Sequence, residues 1–232
     1  MDYNFYNALG YIFIILATII TLVSQYFVTS RYNKYKIVKA KKNVTGQEVA
    51  RLILDKYGLN DIYVTEVKGT LMDHYDPNRK AVRLSTDNFH GDSIASISVA
   101  AHEVGHAIQD KEGYVFIKIR GFIFPFVSFA SKFGYVAIII GLVFGVLDFA
   151  WAGIGLLLFI LLFQLITLPV EFNASRRALS ELQAEKILDD DEMVGSNNML
   201  KAAAMTYVAS VAATILEILR LVIMVFGRDD NR

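Results

Sequence analysis

The chain contains no cysteine. That absence excludes a disulfide framework and a thiolate metal site, and it leaves His, Asp and Glu as the metal ligands. It is compatible with any redox compartment. Histidine is scarce as well, with 4 among 232 residues. Charge is missing over two long stretches, residues 9–28 and 149–170, and each is long enough to cross a bilayer as a helix. A hydrophobic fraction of 54% and a mean hydropathy of +0.41 exclude an ordinary soluble domain. Met1-Asp2-Tyr3-Asn4 has no basic residue, and no small-x-small site follows the first apolar run. This run therefore reads as an anchor and not as a cleavable signal. Net charge is also absent, 23 basic against 23 acidic residues, but the distribution is uneven.

Six basic residues follow the first run with no acid among them: Arg31, Lys34, Lys36, Lys39, Lys41 and Lys42. The positive-inside rule puts this side in the cytoplasm and the N-terminus outside. Such a run could bind nucleic acid. Its position directly after a spanning helix points instead to anchoring and lipid-headgroup contact, so no nucleic-acid partner is expected. Residues 45–110 read as a small water-soluble domain. Thr45 is an N-cap, Val49, Leu52, Ile53 and Tyr57 keep helical spacing, and Gly58 stops the helix. Ile62–Val67 is β-rich, Asp73–Asn78 reads as a polar turn, and Ala81–Ser85 alternates as a strand. That last strand is a candidate sheet edge for a pairing peptide.

The chain then returns to the bilayer. Phe122–Leu147 is apolar but interrupted by Pro125 and Lys132, which places the span at about Phe133–Leu147. Asp148 marks a short turn before the charge-free run 149–170. Basic flanks, Lys111, Lys118 and Arg120 before and Arg176, Arg177 and Lys186 after, put both hairpin ends on the cytoplasmic side. A polar helix and the acidic turn Asp189–Glu192 follow. Ala202–Phe226 is the last apolar segment, and it carries Glu217 and Arg220 three apart on one helix face. A mutual salt bridge is the expected arrangement for such a pair in a membrane. A transporter reading rests on this pair alone, and the halves show no repeat that would support it.

One stretch carries chemistry: Ala101-His102-Glu103-Val104-Gly105-His106. Residues four apart lie on one helix face, about 40° apart around the axis. His102 and His106 can therefore offer two imidazole nitrogens to one metal ion, with Glu103 placed to reach a water there. Gly91-Asp92-Ser93 supplies the helix cap. Gly105 has no side chain, so another element can approach closely between the two histidines. A catalytic zinc takes three protein ligands, so one more is needed. His74 and His90 lie upstream in turn-like sequence, and chemistry excludes neither.

The chain resembles the YugP-like bacterial membrane zinc metallopeptidases. The likeness is carried by the N-terminal anchor, Asp73-His74-Tyr75-Asp76-Pro77, Val82-Arg83-Leu84-Ser85, Ala101–Gln109 and Pro169-Val170-Glu171-Phe172-Asn173-Ala174-Ser175-Arg176-Arg177-Ala178. The layout is also similar to the wider class of membrane gluzincins, which includes the heat-shock HtpX and CAAX-type Ste24 proteases. The resemblance implies a zinc-dependent endopeptidase with His102, His106 and Glu171 as ligands and Glu103 as catalytic base. Glu171 also has the right place in the chain. It follows a hairpin that returns to the side of His102, and it stands after Pro169-Val170 at the start of a helix rising from the membrane surface. Gluzincins often carry an aspartate four residues after the glutamate ligand to orient a histidine. Here that position is Ser175, so Asn173, a backbone carbonyl or another acid is expected to do this. His90, Arg176, Arg177 and Tyr207 are candidates to stabilise an oxyanion.

The expected fold is an α-helical integral membrane protein with about four transmembrane helices and a small cytoplasmic α+β zincin-like domain. The divisions are an anchor (1–29), the metalloprotease domain (30–121), a transmembrane hairpin (122–170), a cytoplasmic helical segment with the third ligand (171–201) and a last transmembrane helix with its tail (202–232). The expected function is hydrolysis of membrane-associated proteins or peptides by a multi-pass enzyme of the cell membrane, with the active site on the cytoplasmic side. The alternative is a membrane scaffold with a structural zinc.

Overall fold

Among the described residues, four helices are long and apolar enough to cross a membrane: α1 (Tyr3–Lys36), α5 (Val115–Phe144), α6 (Leu147–Ala184) and α7 (Asp190–Asp229). They were obtained as part of a computed structural model that describes residues 3–229. Met1 and Asp2, expected to face outward, lie outside the described residues. Between α1 and α5 come α2 (Gly46–Lys56), β1 (Tyr63–Val67), β2 (His74–Asp76), β3 (Ala81–Ser85), α3 (Thr86–His90) and α4 (Ile94–Lys111).

Prolines do not divide the long helices as the sequence suggests. Pro125 lies inside α5 and Pro169 inside α6. Proline removes one backbone donor and crowds the preceding turn, but helices in apolar surroundings tolerate this where other groups take up the freed backbone. Glu171 therefore sits in the interior of a 38-residue helix and not at a helix start. At about 1.5 Å per residue, α6 is about 57 Å long, nearly twice the hydrocarbon thickness.

The chain divides into two compact units. One holds the apolar lengths of the long helices, up to Gln25, Ile119–Leu168 and from Thr206 onward. Its core joins Ile138, Ala150, Ile154, Leu157, Ile218, Leu221 and Val225. Small residues let α5 and α6 meet closely: a Cβ on Gly153 would stand 2.5 Å from the Gly134 carbonyl oxygen. Glu217 and Arg220 form the expected pair, with two hydrogen bonds of 2.8 and 2.6 Å.

The other unit comprises Tyr26–Lys118 and Pro169–Met205. Thr45 caps α2 in a reciprocal capping box with Glu48, and Gly58 adopts φ +63° just beyond its end. Val49, Ala50, Ile53 and Leu54 are the buried face of α2, while Leu52 is 45% exposed and lies outside it. The sheet has the order β1-β3-β2, with β1 parallel and β2 antiparallel to β3. Two expectations change here. His74–Asp76 is a strand and not part of a turn, because cross-strand pairing overrides its polar composition. The strand Ala81–Ser85, a candidate edge from the sequence, is central, and the edge strands are β1 and β2. Val82 and Leu84 pack with Ile97, Ala101, Val104 and Ile108 of α4 and with Leu182 of α6 in one core.

The basic cluster also meets acids of its own unit. Lys36 pairs with Asp87 at 2.6 Å, Lys39 with Asp92 at 2.8 Å, and Lys41 with Asp189 and Asp191 at 3.1 and 2.8 Å. Tyr32 and Tyr35 of the same stretch are buried in this unit's core. These three lysines therefore hold acids of their own unit, in ion pairs at its exposed surface.

Candidate metal centre

Helix α4 starts where the sequence places it. Ser93 is the N-cap, and its hydroxyl accepts from the Ser96 N–H. The apolar run from Ile94 to Ala101 buries α4 against the sheet and α2, which fixes the roll of the helix. His102 and His106 then lie one above the other, their ring centroids 4.9 Å apart and their planes 85° to each other.

Glu171 comes to them because α6 packs against α4 at Gly105. A Cβ there would stand 2.8 Å from the Ala174 carbonyl oxygen and 3.2 Å from its Cα. No side chain fits in that gap, so glycine is required for this approach. Glu171 lies one turn before Ala174, and its Oε2 is 3.4 Å from His102 Nε2 and 3.7 Å from His106 Nε2. Three donors each about 2.0–2.1 Å from one tetrahedral ion stand about 3.4 Å apart. The two imidazoles and the carboxylate thus have the spacing and the chemistry of a zinc ligand set. Among the described residues they form the group able to hold a metal ion. All three side chains are shielded, Glu171 most of all at 3% exposure.

The far sides of both rings are held. Ser175 Oγ lies 3.2 Å from His102 Nδ1, so the expected departure at this position is corrected: the serine itself reaches the ring. The helix repeat explains this, since Ser175 is one turn beyond Glu171 on the same face. Gln109 Oε1 lies 3.0 Å from His106 Nδ1. The Gln109 amide in turn donates to the Val170 carbonyl at 2.8 Å and to Asn173 Oδ1 at 3.0 Å. With their Nδ1 atoms so engaged, both histidines are left to present Nε2 to the shared centre. Gln109 was not singled out in the sequence, although it lies three residues beyond His106, where a helix brings side chains together. Replacing Ser175 by alanine is expected to weaken zinc affinity by about tenfold, and Gln109→Ala by somewhat more. Competition with a fluorescent chelator measures both.

Glu103 is buried beside this group. Its Oε2 accepts the Tyr75 backbone N–H of β2 at 3.1 Å. Burial pushes its carboxyl up to about 7; the charges of Glu171 and Asp73 add to that, and His102 and the Tyr75 N–H oppose it. A cation at the neighbouring ligands also favours the charged carboxylate.

Other candidates lie elsewhere. His74 is exposed on β2, with Nδ1 2.7 Å from the Met72 carbonyl oxygen. His90 is exposed and faces Glu66 at 3.4 Å. Arg177 is occupied by Asn173 and Glu112, and Arg176 is exposed. Tyr207 belongs to the other unit.

Comparison with known proteins agrees with this arrangement. The model of a family described as "Putative neutral zinc metallopeptidase" matches residues 10–226. A relative from Bacillus subtilis (strain 168), "Putative membrane protease YugP", is 46% identical over 224 residues, which are 95% of this chain and 99% of that protein. No solved structure matches the chain.

Proposed function

The chain belongs to this neutral zinc metallopeptidase family, and from that premise we propose that it is a membrane-embedded endopeptidase that hydrolyses membrane-associated proteins or peptides. Zinc is the family's metal, and the His102, His106 and Glu171 group suits it. The reading rests above all on one observation: the buried Glu103 carboxylate lies beside three converging zinc-type ligands. A structural zinc would normally close with a fourth protein ligand, whereas a catalytic site keeps that position open.

In this reading His102, His106 and Glu171 are the ligands. When bound there, zinc supplies a positive charge that acidifies water and polarises a carbonyl oxygen. Glu103 removes the proton from the attacking water and returns it to the leaving amine. The Tyr75 N–H holds one Glu103 oxygen and leaves the other for that proton. Ser175 and Gln109 keep the imidazoles oriented through the cycle. The zincin-like unit carrying the site is cytoplasmic by the distribution of basic residues. Glu171 directly follows the charge-free run 149–170 in a single helix, which suits substrates at the bilayer surface. Turnover by the purified protein against its Glu103→Gln variant tests the function.

The topology has its own test. Because the chain has no cysteine, single cysteines report position cleanly. An impermeant thiol reagent applied to intact cells is expected to label Asp148→Cys and to spare Arg79→Cys. Labelling at 79 with protection at 148 would invert the orientation.

A further inference from the structure

β3 alternates its side chains between two faces. Val82 and Leu84 enter the core, and Ala81, Arg83 and Ser85 take the opposite face. The register sets Arg83 across from Thr65 of β1 and from His74 of β2, so these three form a row over that outer face. Arg83 is half-buried, and its Nε is shielded from solvent with no hydrogen-bond partner. Arg51, Arg79, Arg177 and Arg220 each hold a carboxylate. Arg83 has no such partner among the described residues. A shielded guanidinium donor without an acceptor is unfavourable, and an anion relieves it. Asp76 lies on the same face, but it is committed to its own turn through the Asn78 and Arg79 N–H groups at 3.1 Å.

The neighbourhood suggests the anion. β2 is an edge strand. Tyr75, next to His74, touches Glu103 through its backbone. A peptide extended along the free side of β2 would lie beside Glu103 and place alternate side chains on the face that holds His74 and Arg83. We propose that Arg83, reaching across β2 past His74, forms a subsite for an acidic side chain of such a peptide. The proposal rests on the peptidase reading and adds a preference for Asp or Glu near the cleaved bond. A planar guanidinium suits a carboxylate, which it can bind through two parallel N–H groups.

The test uses the full-length, zinc-loaded protein in detergent and a complex mixture of peptides, with cleavage sites read by mass spectrometry. The wild type is expected to show Asp and Glu enriched about tenfold at one position. Arg83→Met should flatten that enrichment while neutral sites are still cut, and Arg83→Glu should turn it toward Lys and Arg. Unchanged zinc content shows that the variants are folded. Cleavage by the wild type without that enrichment, or its persistence in Arg83→Met, overturns the subsite. Binding separates this from the peptidase reading. In the Glu103→Gln background, a labelled Glu-containing peptide should bind more tightly than its Gln counterpart, by an amount that Arg83→Met removes. If that difference is seen without any hydrolysis by the wild type, the subsite stands and the peptidase reading falls. Equal binding of both peptides overturns the subsite.

Discussion

Glu103→Gln is expected to keep its zinc and to lose peptide hydrolysis by about a thousandfold, within the range that a general base contributes. Glutamine has nearly the shape of glutamate. Its amide oxygen can still accept the Tyr75 N–H that now binds the carboxylate. The proposed ligands His102, His106 and Glu171 are untouched, and so are Ser175 and Gln109 behind the rings. A neutral amide also costs less to bury than a charged carboxylate, so the fold should not suffer. What disappears is the ability to take a proton from water. Metal content by mass spectrometry and turnover of a labelled peptide, measured on one preparation, give both quantities. Retained turnover in protein free of wild type would rule out the mechanism. Zinc lost together with activity would make Glu103 a structural residue.

Glu171→Ala should weaken zinc binding by on the order of a thousandfold or more, since it removes one of the three proposed ligands and the anionic one. The effect should be local. The close approach of α4 and α6 is made by Gly105 and Ala174, which the substitution leaves in place. Glu171→Gln separates the charge from the side-chain volume, because it fills the same space with a poor zinc ligand. His74→Ala and His90→Ala should retain zinc, since these side chains face the Met72 carbonyl and Glu66 instead. Metal content after dialysis decides the matter. Full occupancy in Glu171→Ala, with loss in either histidine variant, would reassign the third ligand.

Much of this molecule is written locally. His102 and His106 are legible as a pair because four residues nearly complete a helical turn, whatever surrounds the helix. The Thr45 and Ser93 caps, the glycine after α2, the strands near Tyr63 and Ala81, and the apolar spans follow equally from neighbouring residues. The Glu217–Arg220 pair follows from a spacing of three on one helix. Gly105 announced a close approach without saying by what.

The rest depended on distance through space. Glu171 is 65 positions beyond His106 (171 − 106), and the residues between them carry no periodicity that brings the two together. The resemblance to known peptidases pointed to it, and the packing of α6 into the Gly105 gap supplies the physical cause. Ser175 looked like a missing aspartate because a residue type was being compared. The short hydroxyl reaches the ring only because α6 lies so near α4. Gln109, the central place of β3 and the pairing of Lys36, Lys39 and Lys41 with distant acids have the same origin. Pro125 and Pro169 were misleading for a related reason: a helix break read from sequence is a local tendency, and apolar surroundings that penalise open backbone hold the helix together. Backbone geometry over one or two turns can be read along the chain; which side chains meet across elements is set by how closely their surfaces pack.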